Sequence, residues 1–259
     1  MSRTPTSGRD SATGLPLTGK AALVTAASRG IGAAIARRLA REGAAVALTY
    51  NASSERAEKV VAEITAEGGR AVAIRADATD AEAVRATVRR TVEEWGRLDI
   101  LVNNAGGGAF GPLDELTLDD FDQSVAVNVR SMFVATQEAL WHMGDGGRII
   151  SIGSVYAERI PIPYGTLYAL SKAAVGGFTR ALARELGPRA ITVNNVQPGP
   201  VDTESNPHDG ELAEVMTRLT PAGRYAVPGE LTGLIAYIAG PESAFLTGAT
   251  ISIDGGFTV

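Results

Sequence analysis

From residue 20 onward, short apolar runs alternate with longer stretches in which apolar positions recur every three or four residues. Ala21-Ala22-Leu23-Val24-Thr25 is continuously apolar up to its last position and reads as a buried strand. Gly30 to Arg41 reads as a helix ending near Gly43. The alternation continues with a strand over Ala45–Tyr50, a helix over Ser53–Glu67 stopped by Gly68-Gly69, and a strand over Ala71–Arg75. Thr79-Asp80-Ala81-Glu82 has the form of a capping box opening a helix to Trp95, with Gly96 beyond. Asp99–Val102 is the fourth strand. Thr117-Leu118-Asp119-Asp120 is a second cap, opening a long helix to about Met143. Strand Gly147–Ile152, helix Thr166–Leu186, strand Ala190–Val196, a helix from Pro228 to Ala239 and strand Ala249–Ile253 complete the pattern.

Strands separated by helices of this length need right-handed crossovers, hence a mostly parallel sheet covered on both faces. The predicted fold class is α/β: one doubly wound, Rossmann-type domain over residues 19–259 with seven strands. Residues 200–226 break the rhythm. They hold Pro200, Pro207 and Pro221 around a short helical stretch, Glu211 to Leu219, and read as a lid at the carboxyl edge of the sheet. Met1 to Thr18 is rich in Ser, Thr, Gly and Pro, lacks the apolar core of a signal peptide, and reads as a disordered tail.

In such a sheet, ligands bind beyond the carboxyl ends of the strands where strand order reverses. The first strand runs into Thr25-Ala26-Ala27-Ser28-Arg29-Gly30-Ile31-Gly32, a small-residue turn entering a helix. Its backbone can approach a pyrophosphate, which the helix N-terminus then holds; a tight turn using Gly only for packing is the plain alternative. The second strand ends Leu48-Thr49-Tyr50-Asn51 without the carboxylate that would bind a ribose 2′-hydroxyl and repel a 2′-phosphate. With Arg29 in the glycine turn and Ser28, Asn51 and Ser53 as neutral donors, this favours NADP(H) over NAD(H). Otherwise Arg29 is a solvated surface cation.

Composition narrows the classes. The 259 residues carry 24 Lys+Arg against 29 Asp+Glu, a formal net charge of −5, and no Cys. A thiolate metal site is impossible, and with only His142 and His208 no metal centre is expected. The acidity argues against nucleic-acid binding. The longest apolar stretch, Leu234–Ala239, is far below the about 20 residues of a membrane span, so a cytoplasmic protein is expected. Only three cations are Lys: Lys20, Lys59 and Lys172. Where a chain otherwise chooses Arg, a Lys can mark a need for a compact ammonium.

The glycine turn is followed, in order, by Asn103-Asn104-Ala105-Gly106, by Ser154, by Tyr168-Ala169-Leu170-Ser171-Lys172, by Pro198-Gly199 and by Asp254-Gly255-Gly256. This ordered set resembles the short-chain dehydrogenase/reductase family over about residues 18–259. Within it, the chain is most similar to 3-oxoacyl-carrier-protein reductases and related NADPH-dependent carbonyl reductases. Two features depart from the pattern. Ala26 stands where the first glycine is usual, and a right-handed or wider turn is expected there, because Ala is strained at positive φ. The spacing from Ser154 to Tyr168 is 14 residues, one more than the pattern expects, so a bulged loop is expected beside the substrate.

The resemblance and the residues together imply hydride transfer from NADPH to a ketone carbonyl. Tyr168 and Lys172, four apart on a helix, share a face. Tyr168 would donate the proton, and a nearby ammonium would lower its pKa. Ser154, just past the fifth strand, would hold the carbonyl oxygen; Ser151 sits too early. Asn128 would shape a kink and hold a water that links Lys172 to solvent, unless it is a satisfied core amide. The resemblance assigns Asp77 and Ala78 to adenine, Asn104, Ala105 and Gly106 to ribose and nicotinamide, and Val201 and Thr203 to the carboxamide. Val155, Ile160, Ile162, Leu167, Leu212 and Met216 are the expected pocket, with Tyr156 and Tyr164 as walls. The small residues of the Thr166–Leu186 helix suggest that another backbone comes close, and the resemblance implies that this helix and the 118–143 helix pair across a two-fold axis, with Phe257 and Val259 at a second interface, giving a homotetramer. The competing class is a regulatory protein binding a cyclic-di-GMP-type nucleotide on a reductase scaffold.

Overall fold

The computed structural model describes residues 14–259. The strands are β1 (Ala21–Val24), β2 (Ala45–Tyr50), β3 (Arg70–Arg75), β4 (Leu98–Asn103), β5 (Met143–Ile152), β6 (Thr192–Pro198) and β7 (Thr250–Ile253). They form one sheet in the order β3-β2-β1-β4-β5-β6-β7, and every neighbouring pair is parallel. The helices are α1 (Gly30–Arg41), α2 (Ser54–Ala66), α3 (Ala81–Trp95), α4 (Leu118–Val125), α5 (Ser131–His142), α6 (Thr166–Leu186), α7 (Ala213–Leu219) and α8 (Gly229–Ala239).

Alternation along the strands sends side chains to two cores. Ala22 and Val24 of β1 join Ile35 and Leu39 of α1, Val60 of α2 and Ile235 of α8. Leu23, between them, joins Val84 and Val88 of α3, Val134 of α5 and Leu182 of α6 on the other face. A smaller third cluster (Val155, Ala213, Met216, Tyr225, Phe257) roofs the carboxyl edge. The chain leaves β1 for β2 and β3, then returns to β4 on the other side of β1. That reversal opens a crevice between the ends of β1 and β4.

Four local expectations change. Leu17 is buried and donates its backbone N–H to Glu42 O at 2.8 Å, so the ordered chain starts before residue 19; the rest of the expected tail, residues 1–13, lies outside the described residues. Thr79 does not cap α3. Its N–H and hydroxyl are both taken by Asp77, each at 2.8 Å, and Asp80 accepts from the Glu82 and Ala83 N–H groups instead. Strand β5 starts early, with Met143 pairing Leu98 before an irregularity that brings Arg148 opposite Ile100. The long fourth helix is interrupted by a π-helical turn, Ala126–Arg130, whose wider winding turns Asn128 inward. At the second cap the expectation holds: Thr117 and Asp120 form a reciprocal capping box.

Candidate active site

The glycine turn is built on Ala26, whose φ is +51°. The expected right-handed turn is therefore not what forms. Neighbouring hydrogen bonds hold the left-handed conformation: Ala26 N–H donates to Thr49 Oγ1 at 2.8 Å, and Asn104 Nδ2 donates to Ala26 O at 3.0 Å and Thr25 O at 2.9 Å. Thr25 Oγ1 accepts from the N–H groups of Asn104 and Ala105, at 2.9 and 3.0 Å, which ties the ends of β1 and β4 together. A Cβ on Gly32 would lie 2.7 Å from Ala26 O, so only glycine lets α1 start this close to the turn. The result is a small-residue turn that leaves the N-terminus of α1 open, an arrangement able to hold a pyrophosphate.

Two cavities meet in the crevice. The first, of about 210 Å³, reaches Tyr50, Asn51, Asp77 and Ala78 at one end and Gly106, Asn128 and Lys172 at the other. The second, of about 580 Å³, contains Ile31, Asn104, Ser154, Tyr168, Pro198, Gly199, Val201 and Thr203, and shares Gly106 and Lys172 with the first. Sharing these residues, the two adjoin into one cleft along the carboxyl edge of the sheet. Asp77 is held as a carboxylate below its usual range by its bonds from Thr79. Ser28, Arg29, Gly30, Gly32 and Ser53 line neither cavity. Gly32 is packed under the turn, Ser53 stands at the start of α2 without capping it, and Arg29 points outward, donating to Glu204 at 3.2 Å.

At the inner end, α6 presents Tyr168 and Lys172 toward the end of β5. Lys172 is buried and donates from Nζ to Ile152 O at 2.9 Å. Burial lowers its pKa to about 8. Its Nζ lies 5.8 Å from the centre of the Tyr168 ring. Burial raises the Tyr168 pKa, against a smaller lowering by its hydrogen bond with Ser154. Nζ itself is turned to the Ile152 carbonyl rather than to the Tyr168 phenol. Ser154 Oγ also accepts from the Tyr156 N–H at 3.2 Å. Ser151 is set apart, its hydroxyl against Met132 Sδ at 3.5 Å.

Asn128 is a positioned amide. Its Oδ1 accepts from Gly107 N–H at 3.1 Å, and its Nδ2 donates to Gly107 O and to Ser171 Oγ, the latter at 3.0 Å. A Cβ on Gly106 would stand 2.9 Å from Lys172 Nζ and 3.1 Å from Asn128 Oδ1. Gly106 thus keeps this junction open.

Of the expected pocket, Val155, Ile162, Leu212 and Met216 line the larger cavity, with Tyr156 as a wall. Ile160 and Tyr164 are about half exposed, and Leu167 is buried in the fold; none of the three lines it. The long loop is accommodated by Tyr164 at φ +74°. Phe110 went unnoticed in the sequence. Its ring lies 5.4 Å from that of Tyr168 and 6.5 Å from that of Tyr156. Arg56, also missed, meets Glu204 beside Arg29. Neither carries a local signal, since each becomes relevant only through residues far away in the chain. Phe257, expected at a subunit contact, is fully buried in the roof cluster, while Val259 is exposed. Among the described residues no cluster of metal-ligating side chains occurs, and no helix is long and apolar enough to cross a membrane.

A family model described as "Enoyl-(Acyl carrier protein) reductase" matches residues 25–258. The cyclic-di-GMP-binding biofilm dispersal mediator protein of Escherichia coli is 44% identical over 240 residues, covering 93% of this chain and 98% of that protein. A short-chain dehydrogenase/reductase from Serratia marcescens superposes with a TM-score of 0.93 at 57% identity, covering 94% of this chain and 100% of that one. A short-chain dehydrogenase from Burkholderia cenocepacia, solved in complex with NADP, gives 0.93 at 52% identity over the same shares. With the glycine cradle, the Ser154–Tyr168–Lys172 cluster and these relatives in agreement, the chain belongs to the short-chain dehydrogenase/reductase family of oxidoreductases.

Proposed function

We propose that the protein is a cytoplasmic carbonyl reductase that passes a hydride from NADPH to a neutral ketone. The cofactor is NADP(H): β2 ends without a carboxylate, Arg29 precedes α1 at the glycine turn with Arg56 paired to the same Glu204, and relatives of this family crystallise with NADP. Bound NADPH supplies the hydride. Every other role belongs to the chain. Tyr168 donates its hydroxyl proton to the carbonyl oxygen, and Ser154 donates a hydrogen bond to the same atom. A phenol whose pKa is raised by burial stays protonated at neutral pH, as a proton donor in the reductive direction must. Lys172, at about 8, titrates close enough to neutrality to resupply that proton, and Asn128 fixes the strand edge and helix between which it sits.

The observation that carries this reading is the convergence of Ser154, Tyr168 and Lys172 where two adjoining cavities share Gly106 and Lys172. Among the described residues, no charged side chain apart from Lys172 lines the larger cavity. Its walls (Phe110, Val155, Ile162, Leu212, Met216) favour an uncharged ketone over a substrate recognised through anionic groups, and a 3-oxoacyl thioester would enter only by its acyl end. The test is consumption of NADPH absorbance with a panel of neutral ketones and 3-oxoacyl thioesters. Turnover with neutral ketones is expected, and none with any carbonyl compound would overturn the reading. The resemblance to the Escherichia coli mediator supports a second reading, a nucleotide-binding regulator. Tight cyclic-di-GMP binding without carbonyl reduction would favour it.

A homotetramer is the assembly that fits. Ala173, Ala174 and Gly177 are exposed along α6, and Leu118, Phe133, Trp141 and Leu170 leave apolar surface on the same helical layer. Two isologous contacts give D2 symmetry. Light scattering at micromolar concentration is expected to return four chain masses; a single chain mass would refute assembly through these helices.

A further inference from the structure

Glu204 joins three separate elements at the outer end of the cleft. Its carboxylate accepts from Arg29, the residue before α1, at 3.2 Å, and from Arg56 in the first turn of α2. The segment that carries it is fixed. Asp202 N–H donates to Ala226 O at 2.8 Å, Thr203 and Asn206 exchange backbone bonds at 3.3 and 3.0 Å, and Asn206 Nδ2 reaches Val201 O at 3.2 Å. The Thr203 methyl lies 3.4 Å from where a Cβ on Gly30 would stand, so the base of the lid rests on the glycine turn. Two guanidiniums and one carboxylate leave a local charge of +1. An incoming phosphate dianion in place of that carboxylate would bring it to zero, and beside it would face a like charge.

We propose that Glu204 is a selectivity residue that competes with the cofactor's 2′-phosphate for Arg29 and Arg56, and so couples phosphate binding to release of the lid. This rests on the NADP(H) reading above. A phosphorylated cofactor displaces the carboxylate from both guanidiniums and frees the 203–206 turn from the glycine turn. An unphosphorylated cofactor leaves the strap in place. Glu204 thereby tempers affinity for NADPH without touching that for NADH, and favours departure of the oxidised cofactor after each turnover. All three side chains are about half exposed, so the strap is weak enough to exchange on each cycle.

The test compares binding of NADPH, NADH and adenosine 2′,5′-bisphosphate to the unmodified chain and to Glu204→Gln by calorimetry. The variant is expected to bind NADPH and the bisphosphate about three- to tenfold more tightly and NADH unchanged, with the gain shrinking at high salt. Hydrogen exchange gives an independent readout. In the unmodified chain, adenosine 2′,5′-bisphosphate should speed exchange across residues 203–206, and adenosine 5′-monophosphate should not. Unchanged or weaker NADPH binding by the variant, or an equal gain for NADH, overturns the proposal. If the unmodified chain binds NADH as tightly as NADPH, the cofactor reading falls and this one with it; if it prefers NADPH and the variant behaves identically, only this one falls.

Discussion

The two ends of the cleft work by opposite physics. At the outer end, Arg29, Arg56 and Glu204 are exposed, mutually paired and screened by solvent. At the inner end, Lys172, Ser154 and Asn128 are buried, and each is held by hydrogen bonds within the fold. Exposed charges discriminate between ligands at modest energies and can let go quickly. Buried groups have their protonation set by the protein and stay in place. Recognition of a cofactor that must come and go suits the first arrangement, and proton transfer suits the second.

That contrast breaks most sharply at Tyr168. Tyr168→Phe keeps the ring against Phe110 and Tyr156 and removes only the donor. Turnover is expected to fall by about a hundredfold or more, with folding and NADPH affinity preserved. Lys172→Arg keeps a charge but forces a planar fork into a site shaped for one ammonium, and is also expected to be damaging. Steady-state kinetics beside a cofactor titration check both; near-normal turnover in either would remove the inner end from the chemistry.

Burial of Lys172 also makes a stability prediction. Its pKa falls from 10.5 to about 8 in the folded chain. Between those values the unfolded chain keeps a proton that the folded chain has released, so stability should rise with pH across that window. The shift corresponds to roughly 3 kcal/mol at its full extent. Lys172→Met has no ammonium to titrate. The difference in Tm between the unmodified chain and this variant, without cofactor, should therefore move in favour of the unmodified chain as pH climbs above about 8. A pH-independent difference would mean that the ammonium is better solvated than its burial implies.

The outer end should respond less. Arg29→Ala is expected to weaken NADPH by about tenfold and leave NADH almost unchanged, an effect that fades with added salt. Equal losses for both cofactors would assign Arg29 to the turn itself and leave selectivity to other groups.

How legible each end was follows from the same contrast. The inner residues announce themselves locally: a Tyr and a Lys four apart, a Ser after an apolar strand, a Gly-rich turn before a helix. The strand pattern was equally readable, since burial on both faces forces continuous apolar runs. Arg56, Glu204 and Phe110 gave no such sign. Arg56 and Glu204 are 148 residues apart, and only the folded lid puts them together. The π-helical turn at Asn128 was legible only as a polar residue in an apolar run, because its bonds to Gly107 and Ser171 come from other elements.

Ala26 is the place where local reasoning failed, and it yields the smallest effect. A left-handed backbone costs an L-residue about 1–2 kcal/mol, which argued for a different turn. Asn104 and Thr49 impose it nonetheless, through bonds to both sides of the residue. Ala26→Gly removes the strain, while the added freedom of glycine in the unfolded chain returns roughly 0.5–1 kcal/mol of the gain. The side chain is exposed, so little packing is lost. The net expectation is a stabilisation of at most about 1 kcal/mol, a rise in Tm of about 2–4 °C for a domain of this size. NADPH affinity should be unchanged or slightly improved, because the backbone N–H groups of the cradle keep their directions. A calorimetric scan with a cofactor titration decides the matter. A fall in Tm would mean that the methyl group, and not the hydrogen bonds from Asn104 and Thr49, keeps this turn in shape.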